Sequence, residues 1–193
     1  MKLGVVVEGH GEVAALPILL RSVLANLGRY DVTILKPIRQ KRDRLASASF
    51  QDLERGIALA VLNGADAVLV VCDSDSACAA TLGPSMNARA LANSAVPVSV
   101  VLAVAEFESW LLAAVESLKN HQLVRGDASF LDDPDEVNNP KAYLERRILV
   151  DGSHYSETVD QPSLTAALDV GLARSRSRSF DKLWREVELL VKV

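Results

Sequence analysis

The sequence predicts an α/β fold: a mostly parallel sheet of about four strands flanked by helices, with a helical extension at its C-terminal end. Three observations point there. Val5 to Val7, Ala67 to Cys72 and Pro97 to Val104 are short, continuous, largely β-branched runs without polar alternation, as in strands buried on both faces. Longer stretches with apolar residues at helical spacing lie between them, and this alternation builds parallel sheets. Beyond residue 126 the strand-like runs stop and helical patterns take over. The expected organisation is therefore residues 1–126 as the α/β domain and 127–193 as a helical extension packed on it.

Taken in order, the first strand runs into Glu8-Gly9-His10-Gly11-Glu12. The two glycines predict a turn that tolerates unusual backbone angles. Residues 12–28 then carry Val13, Leu16, Leu20, Val23, Leu24 and Leu27 at helical spacing, with Gly28 as the stop. Asp31 to Leu35 reads as a second strand, and residues 36–44 as a loop. Residues 47–63 form an amphipathic pattern closed by Asn63-Gly64. A strand at 67–72, a helix at 78–94, a strand at 97–104 and a helix through Glu106 and Glu108 complete the sheet domain. In the extension, Asn139-Pro140-Lys141 and the stretch around Pro162 both resemble helix starts with Pro at the first position. Arg174 to Ser179 reads as a surface loop or a basic phosphate contact, with the loop preferred. Phe180 to Val191 is the last helix.

Bulk composition narrows the function. The 193 residues are 49% hydrophobic and 24% charged, as in a globular protein. Formal net charge is −4, so a strongly basic nucleic-acid-binding surface is not written into the sum. Cys72 and Cys78 are too few for a disulfide framework and lack the partners of a zinc site, and Cys72 falls in an apolar strand, as a core thiol does. With no signal-peptide pattern and apolar runs shorter than a membrane span, the expectation is a cytoplasmic protein without membrane contact.

The chemistry-bearing pattern is acid at strand ends. Glu8 and Glu12 follow the first strand, Asp73 and Asp75 follow 67–72, and Glu106 and Glu108 follow 97–104. In open α/β sheets ligands bind at the carboxyl ends of strands. Hard oxygen donors grouped there suit Mg²⁺ or Mn²⁺, and carboxylates gathered without a cation repel one another. The ordinary alternative for Asp73-Ser74-Asp75 is a turn or helix cap. Glu106 is favoured slightly over Glu108 as the residue facing the site. Lys36, Arg39, Lys41, Arg42 and Arg44, five of the 21 Lys and Arg, leave the second strand on the expected edge. They read equally as a phosphate-contacting loop and as a solvated one. A phosphate-cradling reading of Glu8 to Glu12 is the weaker one, because its Gly-x-Gly spacing is short and no lysine follows.

A strand ending in Glu (VVVEGHGE), a later strand ending in Asp-x-Asp (VLVVCDSD) and a Rossmann-like βα alternation together resemble the Toprim domain of topoisomerases, DnaG-type primases and OLD-family nucleases. More narrowly, EGHGEVAALPILL, AEFESWLLA, NPKAYLERR and the YSETVDQPSLTAALD to SRSFDKLW tail resemble a bacterial Toprim-like family, domain of unknown function 4276. The resemblance implies Mg²⁺-dependent phosphoryl-transfer chemistry on nucleic acid, DNA before RNA, with Glu8, Asp73 and Asp75 at the Toprim positions. Glu8 is then a ligand or the base that takes a proton from water, and Glu12 with Glu106 or Glu108 completes a second metal position. Lys141 is the candidate for stabilising transition-state charge, as OLD-like sites use a lysine; its alternative is an ordinary exposed helix-start lysine. It further implies a separately encoded ABC-type ATPase as partner and a role in phage defence or DNA repair. Tyr30, Tyr143 and Tyr155 come without the separate domain that supplies a topoisomerase nucleophile, so hydrolysis is the expected reaction. The alternative from another class is a non-catalytic, metal-binding regulatory subunit of an ATPase complex.

Overall fold

The computed structural model describes residues 1–193 except 42–44, 46–49, 76 and 193. Strand β1 (Lys2–Val7) is followed by helix α1 (Glu12–Asn26) and the short strands β2 (Thr33–Ile34) and β3 (Ile38–Arg39). Helix α2 (Gln51–Leu62), strand β4 (Ala67–Asp73), helix α3 (Ala79–Ala92) and strand β5 (Val98–Ala103) follow, then helix α4 (Glu108–Ala113) and a 3₁₀ turn, Val115–Leu118. The sheet order is β2-β1-β4-β5, and β3 pairs with β1 beyond β2. All these pairings are parallel. The predicted α/β class with a mostly parallel sheet flanked by helices is therefore correct.

Period-two alternation sorts the strands between two cores. Leu3, Val5, Val7, Ala67, Leu69, Val71, Val101 and Ala103 face α1, whereas Val6, Val68, Val70, Cys72, Val98, Val100 and Leu102 face α2 and α3. Cys72 is thus the core thiol expected of it. Gly4 permits the close approach of α2 to the sheet, since a Cβ there would stand 2.8 Å from Ala65 Cβ and 2.9 Å from Ala60 Cβ.

With α1 on one face and α2 and α3 on the other, the α1 face of β4 and β5 needs a second cover. The C-terminal segment supplies it. Helix α5 (Pro140–Tyr143) runs into a π-helical turn, Leu144–Ile148, and is followed by α6 (Asp160–Ala166), α7 (Val170–Arg176) and α8 (Arg178–Val191). Helix α8 packs against β5 and β4, and Ser99 of β5 donates to Glu186 Oε2 at 2.7 Å. Phe180, Leu183, Val187 and Leu190 of α8 join the same core as Leu3 and Val71. Helix α4 is wholly buried between them, with Trp110 donating to Ser179 Oγ at 2.8 Å and meeting Phe180 edge-on.

Several local expectations change. The expected loop at 36–44 contains β3, because Ile38 and Arg39 extend the edge alongside Val6 and Val7. The expected loop at 174–179 is a junction of two helices. Ser177 caps α8 by accepting from the Phe180 amide, while Arg174, Arg176 and Arg178 pair with Asp181, Glu116 and Asp133. Asn139 caps α5 with Pro140 at its first turn, as expected, but α6 begins two residues before Pro162.

Candidate functional site

The chain leaves β1 for β2 on one side and returns to β4 on the other, so the loops after β1 and β4 diverge to opposite faces. The crevice between their carboxyl ends is the topological switch point of the sheet. Glu8 directly follows β1, and Asp73 closes β4 on the α1-facing side of its alternation. The Asp73 amide donates to Glu8 Oε2 at 3.2 Å. Glu12, the first residue of α1, folds back to accept from the amides of Glu8 and Gly9 at 3.0 and 3.1 Å. Glu108 opens α4, and Glu106 precedes it. Glu8, Glu12, Asp73, Glu106 and Glu108 line one cavity of about 120 Å³.

The β4 and β5 tips are laced together behind this cavity. Ser74 and Asp75 donate backbone N–H to the carbonyls of Ala103 and Ala105, both at 2.9 Å, and the Ala105 amide donates to Ser74 Oγ at 2.9 Å. Asp75 (φ 46°) and Ala105 (φ 58°) lie in the left-handed region that non-glycine residues enter at a cost. Ser74 thus ties the β4 turn to the β5 turn, while Asp73 lines the cavity.

Burial and crowding perturb the acids in one direction. Burial, reinforced by the charges of Glu8 and Glu108 and opposed by the Gly9 and Glu8 amides, raises the Glu12 carboxyl to about 7. Asp73 is pushed well above the usual carboxylate range by burial and by Glu12, Glu108, Glu8 and Asp75. Burial likewise raises Glu108, with Glu106 and Glu157 adding to the effect. Each of these acids makes ionisation of the others harder, so the cluster holds on to protons that isolated carboxyls would release.

Of the residues singled out from sequence, Asp75 departs most. The backbone leaves the strand at Ser74, so Asp75 is exposed and lines a neighbouring cavity of about 620 Å³, which also takes in Cys78, Glu106 and Asn139. Both members of the Glu106/Glu108 pair face the acidic cavity. Lys141 stands at its margin: its backbone N–H donates to Glu106 Oε2 at 2.9 Å, and its Nζ pairs with Glu157. That ion pair raises the Lys141 ammonium pKa. Arg39 ends β3 opposite Val7, on the edge that carries Glu8, and its Nη2 lies 2.8 Å from His10 Nε2. Lys36 and Lys41 are exposed, and Arg42 and Arg44 lie outside the described residues.

Three site residues were not singled out from sequence. Glu157 and Gln161 line the acidic cavity, and Gln161 Nε2 donates to Glu108 Oε1 at 3.2 Å. The Tyr155 hydroxyl is buried against Glu108, whose charge helps burial raise its pKa, yet it closes no hydrogen bond of standard geometry. All three come from the C-terminal segment, which α6 brings onto α1. Their local sequence reads as a polar helix entry. The one usable signal was Gly11. Its φ is −64°, so it is not there for an unusual backbone angle; a Cβ would stand 2.5 Å from both Gln161 Oε1 and the Glu157 carbonyl oxygen. Gly9 is not among the positive-φ glycines either, which corrects the reading of both.

Among the described residues, no three His, Cys, Asp or Glu side chains already stand in metal-ligating geometry. Glu12 and Glu106 are turned onto backbone amides instead. Among the described residues no helix is long and apolar enough to cross a membrane. No curated protein and no solved structure gives a significant match to the chain. A family model described as a domain of unknown function does match, over residues 7–188, and the chain belongs to that family, DUF4276.

Proposed function

We propose that the protein is a Toprim-related, Mg²⁺- or Mn²⁺-dependent nuclease that hydrolyses phosphodiester bonds of nucleic acid. The observation that carries this reading is the convergence of five carboxylates, from the β1 turn, the start of α1, the tip of β4 and the β5–α4 link, on one cavity at the switch point. The donors are all hard oxygens, as Mg²⁺ and Mn²⁺ prefer, and their mutual repulsion is relieved by a divalent charge. Such an ion would supply Lewis-acid stabilisation of phosphoryl charge.

The chain's own residues divide the remaining work. Asp73 and Glu8 are held side by side by the Asp73 N–H···Oε2 bond, as two first ligands or as ligand and proton acceptor. Glu12 fixes the turn that carries Glu8, and Glu106 and Glu108 extend the donor set. Lys141, once released from Glu157, is within the margin of the site as a counter-charge for phosphate. Arg39, Lys36 and Lys41 offer cations on the same sheet edge for the nucleic-acid backbone. A partner ABC-type ATPase and a role in defence or repair rest on the Toprim resemblance.

The test is divalent-dependent cleavage of single-stranded, duplex and supercoiled DNA and of RNA, with Glu8→Gln and Asp73→Asn. Loss of cleavage in both variants, with folding intact, is the expected result. Equal activity in wild type and variants sinks the proposal. One observation favours a second reading, a non-catalytic metal-binding subunit of an ATPase complex: a 120 Å³ cavity roofed by Glu157 and Gln161 holds an ion more readily than a phosphodiester. No cleavage with partner and ATP, together with metal-dependent association, decides for that reading.

A further inference from the structure

Besides its carboxylates, the acidic cavity is lined by an amide side chain, that of Gln161. Gln161 is only 3% exposed, and it lies 53 residues along the chain from Glu108. Its Nε2 is fixed by donation to Glu108 Oε1 at 3.2 Å. That bond sets the amide orientation and leaves the carbonyl Oε1 buried with no hydrogen-bond partner. A buried amide oxygen without a partner carries a desolvation cost, and in a native fold such a group calls for a water or an ion. Glu157, from the same segment, lines the same cavity.

The turn after β1 is shaped to receive this segment. Only a residue without Cβ fits at position 11, because Gln161 Oε1 and the Glu157 carbonyl oxygen both occupy the place a side chain would take. The residue that follows Gly11 is Glu12, so the segment is seated against the turn that positions two of the carboxylates.

We infer that the C-terminal segment completes the cation site, with Gln161 Oε1 as a neutral oxygen ligand for Mg²⁺ or Mn²⁺ beside the carboxylates. This rests on the metal reading proposed above. A neutral carbonyl suits the position, since a further charge beside the carboxylates already there would deepen their repulsion, whereas an amide oxygen adds a hard donor without adding charge. The site then spans both ends of the chain, and cation binding clamps the extension onto the sheet.

The experiment titrates Mn²⁺ into the full-length wild type, Gln161→Leu and Gln161→Glu by calorimetry, alongside thermal denaturation with and without Mn²⁺. The expected result is a roughly 10–100-fold weaker Mn²⁺ affinity in Gln161→Leu, with partial recovery in Gln161→Glu. Because Gln161→Leu removes both the orphaned oxygen and the donor that Glu108 Oε1 accepts from, the Mn²⁺-free melting temperatures serve to establish that all three proteins are folded where affinity is compared. Equal affinity in wild type and Gln161→Leu overturns this inference and leaves the carboxylate site standing. Wild type that binds neither Mn²⁺ nor Mg²⁺ overturns both. A Mn²⁺-soaked wild-type crystal gives a reading independent of the variants: an anomalous peak bonded to Gln161 Oε1 supports the assignment, and one bonded to carboxylates alone refutes it.

Discussion

Glu12 gives the acid cavity a measurable signature. Its carboxyl titrates near 4.5 when unperturbed and at about 7 in the folded protein, chiefly through burial, with Glu8 and Glu108 contributing. Between those two pH values the folded chain holds a proton that the unfolded chain has released. Stability therefore falls as pH rises through this window, and the loss is complete above about pH 7. The size of the rise corresponds to about 3 kcal/mol, a substantial part of the ~5–15 kcal/mol that holds a typical domain folded. Asp73 and Glu108 are shifted in the same direction and carry the loss further. Urea denaturation in a chelating buffer from pH 5 to pH 8 measures it. Wild type is expected to weaken across the range. Glu12→Gln, which keeps an oxygen for the Glu8 and Gly9 amides, is expected to weaken less and to be the more stable protein at pH 8. Saturating Mg²⁺ is expected to restore wild type at high pH. Superimposable pH profiles for wild type and Glu12→Gln would falsify the account of Glu12 as a buried, crowded acid.

Two further perturbations test how the site is built. Gly11→Ala places a Cβ 2.5 Å from Gln161 Oε1 and the Glu157 carbonyl oxygen; overpacking of this kind costs about 1–3 kcal/mol, and because one obstacle is backbone, residues 157–161 must shift. Both the denaturation midpoint and Mn²⁺ affinity are expected to drop, and an unchanged pair of values removes the close-approach argument. Trp110→Ala deletes a fully buried ring that meets Phe107 at a tilt and Phe180 edge-on, and removes the donor to the Ser179 hydroxyl. The expected loss is about 3–5 kcal/mol in urea, and a loss under 1 kcal/mol would show that α4 and α8 do not share a core.

The parts of the site that sequence revealed are those in which side-chain direction follows from strand geometry. Val5 to Val7 and Ala67 to Cys72 could be read as buried parallel strands, so Glu8 and Asp73 had to emerge at one edge. The same reasoning failed two residues beyond the strand. Asp75 was grouped with Asp73 among the strand-end acids, but alternation holds only while the backbone stays extended, and the left-handed turn at Asp75 ends it. Residues 174–179 looked like a loop because Ser and Arg are polar; the structure uses one of those serines as a helix cap and the arginines as surface ion pairs. Glu157 and Gln161 were illegible for a different reason. Their place depends on α6 docking onto α1 across most of the chain, and no local spacing encodes such a contact.

That docking also explains how a crowded acid cavity persists in the folded chain. Repulsion among Glu8, Glu12, Asp73, Glu106 and Glu108 acts to separate the tips of β1, β4 and β5, and each tip is tied down by a different bond: Asp73 N–H to Glu8, Ala105 N–H to Ser74, Lys141 N–H to Glu106. Behind them the buried helix α4 begins with an acid at the cavity and ends in the aliphatic core, so Glu108 can move only if Trp110, Leu111 and Leu112 move too. The C-terminal helices hold that core closed through Phe180 and Val187 and, through Gln161 and Glu157, roof the cavity from the other side. The extension is thus both the cover that β4 and β5 lack on the α1 face and the wall that fixes the acids at close quarters. The acids are thus kept together by bonds and packing that lie outside the cavity, and not by favourable contacts among themselves.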